Sequence, residues 1–224
     1  MAQKDIGNKV PLHTLRTTNE VRDFYDDWGN EKKYDQDMCD WNYTGPKEVV
    51  DTLKSYVTKK DTLIFDAGCG SGLVGQALRD QGFLKFDGAD LSQTLLDAIP
   101  PNLYRSLYQV DLNQPLNIPD NTYEAVTCVG TFTYGHVKAD ALNEFVRITK
   151  DGGLLCFTIN EGIYIDSGFD TKLATLENDG VWIKREFFKS DYLASKNVNA
   201  WLGLYQVTKL SLIHISEPTR RRGI

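Results

Sequence analysis

The 224-residue chain has few of the residues that hold metals or form cross-links. Its four cysteines, Cys39, Cys69, Cys128 and Cys156, stand far apart with no Cys-x-x-Cys pair, and it has only three histidines. That spacing argues against a zinc ribbon or a disulfide framework and points to reduced thiols, with no metal expected. Positive charge is also short: Lys plus Arg number 25 against 31 Asp plus Glu, giving a net charge of −6. Without a basic stripe, duplex nucleic acid is not the expected partner. No apolar run is long enough to span a bilayer, and Met1 to Val10 holds no apolar signal core, so no membrane partner is expected and the location expected is cytoplasmic.

What is present centres on Thr62 to Gly75. Leu63, Ile64 and Phe65 read as a buried strand that passes through Asp66 into glycines at alternate positions, Gly68, Gly70 and Gly72. There the chain must turn with its backbone bare, so a ligand can lie on the main chain while a helix starts behind it. Leu73, Gly75, Ala77 and Leu78 let that helix pack on a sheet. Strand, glycine loop and helix form the nucleotide cradle of open α/β sheets. Gly70-Ser-Gly72-Leu-Val-Gly75 also satisfies the dinucleotide fingerprint, which leaves a nicotinamide-dependent reductase open. Two features weigh against it. Asp66 beside the glycines suits a cationic ligand and repels a diphosphate. The Tyr-x-x-x-Lys pattern of such reductases occurs only as Tyr56 to Lys60 and Tyr205 to Lys209, both misplaced.

The rest of the chain alternates strand and helix around this loop. Lys85 to Asp90 reads as the second strand, with Asp90 at its end placed for ribose hydroxyls and Leu91 beside it. Ser92 caps a helix over Gln93 to Ile99. Leu107 to Leu112 is the third strand, 113–121 a loop, Thr122 to Gly130 the fourth strand, Ala139 to Thr149 a helix and Gly153 to Ile159 the fifth strand. After a partly helical 162–177, strands at Val181 to Phe188 and Ala200 to Val207 have no helix between them, which predicts an antiparallel edge hairpin. Upstream, Val21, Phe24, Tyr25 and Trp28 have helical spacing, Tyr34 to Asp37 is a polar aromatic stretch, and Pro46 opens a helix through Val49, Val50, Leu53 and Val57.

This spacing predicts a mobile arm over 1–18 and one domain over 19–209, with 19–60 as a helical lid. Tyr25 and Tyr34 either pack within the lid or close over cofactor and substrate. Residues 210–224 read as adapter-derived sequence rather than native chain. Thr131 to His136 follows the fourth strand over the site. His136 either takes a proton from a nucleophile or caps a turn, while His13 and His214 fall in the arm and the tail.

Asp66-x-Gly68-x-Gly70-x-Gly72 resembles motif I of the class I S-adenosylmethionine-dependent methyltransferases. Phe24-Tyr-Asp-Asp-Trp28, Tyr34-Asp-Gln-Asp37, Val129-Gly130 and Arg147-Ile-Thr-Lys-Asp-Gly-Gly153 resemble, more narrowly, methyltransferase-like proteins of the Williams–Beuren syndrome chromosome region type. The matches run from Phe24 to about Val207. The resemblance implies S-adenosylmethionine as cofactor and a Rossmann-like open twisted sheet of about seven mostly parallel strands, with an antiparallel edge hairpin and helices on both faces. It also implies cofactor contacts from Asp66, Gly68, Cys69, Gly70, Gly72, Asp90, Leu91, Val129 and Gly130, with Asp111 reaching the adenine amino group and the Leu112 amide contacting the ring. Gly130-Thr-Phe-Thr stands where amino-methylating nucleic-acid and glutamine enzymes carry a Pro-Pro segment. A small-molecule or protein acceptor remains, beside the alternative of a non-catalytic cofactor-binding protein.

Overall fold

The computed structural model describes residues 12–15 and 17–209; the tail with His214, most of the arm and the side chain of His13 lie outside the described residues. Three helices come first: α1 (Thr18–Gly29), α2 (Lys33–Asp40) and α3 (Gly45–Tyr56). There follow β1 (Leu63–Ala67), α4 (Leu73–Asp80), β2 (Lys85–Asp90), α5 (Gln93–Ala98), β3 (Leu107–Gln109), β4 (Tyr123–Phe132) and α6 (Ala141–Ile148). The chain closes with β5 (Thr149–Asn160), α7 (Phe169–Asn178), β6 (Trp182–Leu193) and β7 (Val198–Val207). These form a seven-stranded sheet in the order β3-β2-β1-β4-β5-β7-β6. Strands β1 to β5 pair in parallel, and β7 runs antiparallel to both β5 and β6. This is the expected Rossmann-like sheet with its antiparallel edge.

Successive strand side chains point to opposite faces, and that alternation builds two cores. Phe65, Val126, Leu155 and Phe157 face α6 and α7, whose Phe145, Ile148, Phe169 and Leu173 complete one core. Ile64, Ala125, Leu154 and Cys156 face the other way, onto Val49, Leu53, Val74 and Leu78 of α3 and α4. With both faces covered, the parallel strands are buried and read as apolar runs. The strand order reverses between β1 and β4, so a crevice opens at their C-terminal ends, where such sheets bind ligands.

Several elements differ from the sequence reading: β4 runs on to Phe132, and β5 already begins at Thr149, ahead of the expected Gly153. The third strand stops at Gln109 because β3 is an exposed edge paired only with β2, and this leaves Asp111 and Leu112 on the loop beyond it. β6 runs on to Leu193 through a bulge after Ser190. The polar aromatic stretch at Tyr34 is helix α2, entered through Glu31 and Lys32 at positive φ. Tertiary contacts stabilise α2: its Asp37 accepts a hydrogen bond from the Trp28 indole N–H at 2.7 Å, and Tyr34 packs edge-on to the Trp28 ring.

The N-terminal turn Leu12–Thr14 also packs down, with Leu12 and Leu15 buried against Val21, Phe24 and Leu91. α1 begins behind it in a capping box: the Thr17 hydroxyl accepts from the Glu20 N–H, and the Glu20 carboxylate accepts from the Thr17 N–H.

Candidate active site

The glycine loop uses its residues in different ways. The Gly68 and Cys69 N–H groups both donate to the Ala89 carbonyl, at 2.8 and 2.9 Å, which fastens the loop to the end of β2. A Cβ on Gly68 would come within 2.0 Å of the Thr131 hydroxyl on β4. A Cβ on Gly70 would meet no atom of the described residues within 4 Å, and Gly70 lines a cavity of about 250 Å³. Gly68 is therefore bare so that two strand ends can meet, and Gly70 is bare toward the ligand space. Gly72 opens α4 against Leu103 and Ile99, away from the cavity.

Asp90 binds the loop from the neighbouring strand. One carboxylate oxygen accepts the Gly70 N–H at 2.8 Å and the other accepts the Ser92 N–H at 2.9 Å. Burial raises its pKa, and these backbone donors offset part of that rise. Tyr25, Tyr34, Gly68, Gly70, Leu91, Asp111, Leu112, Val129, Gly130 and His136 line the same cavity as Asp90. Gly130 lies under two phenols, since a Cβ there would fall 2.6 Å from the Tyr43 hydroxyl and 3.2 Å from that of Tyr192.

Asp66, Cys69 and Gly72, expected at the cofactor, are not among the lining residues. Cys69 is buried with its sulfur toward Gly88. Asp66 is fully buried and accepts hydrogen bonds from the Tyr104 hydroxyl at 2.6 Å and the Thr127 hydroxyl at 2.9 Å. Tyr104 accepts in turn from the Gly75 N–H at 3.0 Å, and its ring occupies the space a Cβ on Gly75 would need. Asp66 thus ties β1 to β4 and to the start of α4. It sits behind the loop because successive strand residues change faces, an effect motif spacing does not reveal.

Burial raises the Asp66 pKa to about 6 from 3.8, despite the two hydroxyl donors that lower it. The group's contribution to folding is therefore fully present below 3.8 and is lost as pH rises through about 6. Tyr104→Phe removes one donor to the carboxylate and should cost about 1.5–3 kcal/mol at pH 8. The cost should shrink as Asp66 protonates toward pH 4. Urea unfolding at the two pH values measures it, and an equal cost at both would show that the hydrogen bond to Asp66 is not the source.

The lid is fastened over the strand ends by polar contacts. Asp26 of α1 accepts from the Ser92 hydroxyl at 2.5 Å and from the Thr94 N–H at 3.3 Å. Asp35 of α2 accepts from the Ser71 hydroxyl of the glycine loop, and Thr18 donates to Asp111 at 3.1 Å. Sequence reading placed Thr131 over the site but missed Thr18 and Lys138; all three line the cavity. Asp26→Ala should weaken lid closure by about 1.5 kcal/mol, so bound nucleoside should leave about tenfold faster in stopped-flow fluorescence. An unchanged off-rate would mean that the lid does not gate release.

His136 donates from Nδ1 to the Tyr134 carbonyl and packs edge-on to the Tyr25 ring, with centroids 5.1 Å apart. Burial lowers its pKa to about 4 from 6.5, so it is neutral at physiological pH.

A glycine loop, a strand-end acid and a second loop from β4 meet at the switch point, where Rossmann-like α/β proteins bind nucleotides. Residues 65–157 match the family model described as a methyltransferase domain. Human methyltransferase-like protein 27 is 37% identical over 196 residues, covering 81% of this chain and 79% of that protein. The chain belongs to the S-adenosylmethionine-dependent methyltransferases. Among solved structures, the magnesium protoporphyrin IX methyltransferase of Synechocystis PCC 6803 with bound cofactor superposes with a TM-score of 0.62. It has 14% identity, over 90% of this chain and 100% of that one. The [4+2]-cyclase SpnF superposes equally well, TM-score 0.62 at 12% identity over 87% and 98% of the two chains. Likeness at this level shows the fold alone, and the fold hosts more than one chemistry.

S-adenosylmethionine fits the residues present. The open space over Gly70 admits a ligand directly onto the backbone, and the cavity carries the carboxylates of Asp90 and Asp111, which suit a cationic nucleoside. Among the described residues no cluster is placed to hold a metal ion, and no helix is long and apolar enough to cross a membrane.

Proposed function

We propose that this methyltransferase acts on a small-molecule acceptor held beneath the α1–α2 lid. The observation that carries the reading is the lid itself. Asp26, Asp35 and Thr18 fasten it to Ser92, Ser71 and Asp111, so the lid roofs part of the cavity. A roofed pocket suits a metabolite, whereas a macromolecular acceptor needs an open surface. A net charge of −6 also disfavours nucleic acid.

In this reading Gly68 and Gly70 underlie the cofactor, and Asp90 accepts from ribose hydroxyls while holding the loop in place. Asp111 with the Leu112 amide receives the adenine, and Leu91, Val129 and Gly130 form the walls. Tyr25 and Tyr34 line the site, where an aromatic face turned to the sulfonium would favour its positive charge. When bound, S-adenosylmethionine supplies a methyl group on a cationic sulfur. The protein orients the acceptor against it and excludes water, and orientation alone can account for much of the rate.

The test is transfer of tritiated methyl from S-adenosylmethionine into a cell extract divided into protein and protein-free fractions. Label in the protein-free fraction is expected. Label confined to protein would sink the small-molecule reading.

A further inference from the structure

His136 has one ring nitrogen satisfied and the other unpaired. Nδ1–H donates to the Tyr134 carbonyl, which leaves the lone pair on Nε2. Nε2 exposes almost no surface and has no hydrogen-bond partner among the described residues, so an acceptor reaches it only as a neighbouring side chain gives way. A buried acceptor without a donor costs about 1–3 kcal/mol, a cost that a donor brought by a ligand would remove. The loop that carries it is held firmly. Asn113 donates to the His136 carbonyl at 3.3 Å and accepts from the Lys138 N–H at 2.9 Å. Above it the Leu12 and Leu15 carbonyls crowd Gly135, where a Cβ would fall 3.0 and 3.1 Å from them. The imidazole is therefore oriented before any acceptor arrives, on the wall of the cavity that holds Gly70 and Asp90.

We propose that Nε2 of His136 takes the proton of the methyl acceptor, and that the acceptor is accordingly a nucleophile still protonated at neutral pH. Alcohols, phenols and ring N–H groups qualify; a carboxylate does not, because it has no proton to give. The inference rests on the small-molecule reading above for the kind of molecule, but not for the role of His136.

The step balances. The acceptor's lone pair forms the bond to the methyl carbon, the carbon–sulfur bond breaks with its electrons left on sulfur, and the acceptor's proton passes to Nε2. The positive charge that leaves sulfur reappears on the imidazole, so the enclosed site keeps its net charge and little solvent reorganisation is needed. Burial leaves the Nε2 lone pair free at every pH above about 4 but also weakens it as a base, so the proton moves only as the positive charge leaves sulfur. The other titratable groups on the cavity are Tyr25 and Tyr34 of the lid, Asp90 of β2, Asp111 of the loop after β3 and Lys138 of the same loop as His136.

The experiment compares the full chain with His136→Gln, whose side-chain oxygen accepts a hydrogen bond but does not take a proton at these pH values. Calorimetry with S-adenosylhomocysteine should give equal affinities. Transfer of labelled methyl should fall about 100-fold or more. The variant's rate should rise about tenfold per pH unit from 6 to 9, since only ionised acceptor then reacts, while the parent's stays flat. Rates within threefold and parallel pH profiles would overturn the proposal. If label enters only protein, the small-molecule reading fails and the same pH comparison on that product decides the role of His136. Nitrogen NMR decides it without turnover, the His136 signal being the one of three histidines absent from the variant. A protonated Nδ1 with a bare Nε2 at pH 7 is expected; an Nε2–H tautomer or an imidazolium would overturn the proposal.

Discussion

Gly70→Val is expected to abolish measurable binding of S-adenosylmethionine while leaving the chain folded. No atom of the described residues lies within 4 Å of the position a Cβ would take, so the side chain meets the space of the cavity that Gly70 lines. The backbone at φ +52° adds strain of about 1–2 kcal/mol for a residue with a Cβ, which a buried α/β domain tolerates. Two methyl groups on the ligand's side of the loop should weaken the cofactor by more than about 1,000-fold, or about 4 kcal/mol. Gly68→Ala, two residues away, should do the reverse. Its Cβ would collide with the Thr131 side chain at 2.0 Å, in a backbone at φ +76°, and about 2–4 kcal/mol of stability should be lost. Thr131→Ala in that background should restore part of it, because the hydroxyl and methyl that collide are removed. Calorimetric titration and urea unfolding of the three proteins separate these effects. A Gly70→Val protein that binds normally would refute the assignment of the cavity to the cofactor.

Asp90→Ala should lower affinity for S-adenosylmethionine and for S-adenosylhomocysteine about 100- to 1,000-fold. The carboxylate holds the Gly70 and Ser92 N–H groups at 2.8 and 2.9 Å, one on the glycine loop and one at the start of α5. Removing it leaves both donors unpaired and removes the acceptor proposed for the ribose, a combined cost of about 3–4 kcal/mol for hydrogen bonds to a charged group. Asp90→Asn keeps one acceptor oxygen and should fall between. NADH serves as the control ligand: no binding is expected, and NADH binding that survives the substitution would mean the fingerprint at Gly70 to Gly75 serves a dinucleotide. Equal affinities for Asp90→Ala and parent would remove Asp90 from the site.

Much of this protein was determined locally. Leu63 to Phe65, the alternate glycines and the Asp90 strand end report a strand, a bare turn and an acid at the next strand's tip, because turn chemistry and apolar periodicity are properties of short windows. The two late strands without a helix between them pair as an antiparallel edge for the same reason. The Ser92 cap could also be read from the chain, since a hydroxyl ahead of an apolar helical period has one use, and its Oγ accepts from the Leu95 N–H.

The tertiary structure decided the rest. α2 looked irregular because its helix depends on the Trp28–Asp37 hydrogen bond and the aromatic packing around it, contacts between separate helices that no local window contains. Asp66 and Asp90 read alike as strand-end acids, yet one is enclosed behind the loop by Tyr104 and Thr127 and the other faces the cavity. Which face a strand-end residue takes is set by the sheet's pleat and its neighbours. The unpaired nitrogen of His136 was likewise invisible in sequence. It follows from the Tyr134 carbonyl, the Asn113 clamp and the docked N-terminal turn, brought together only when the chain folds.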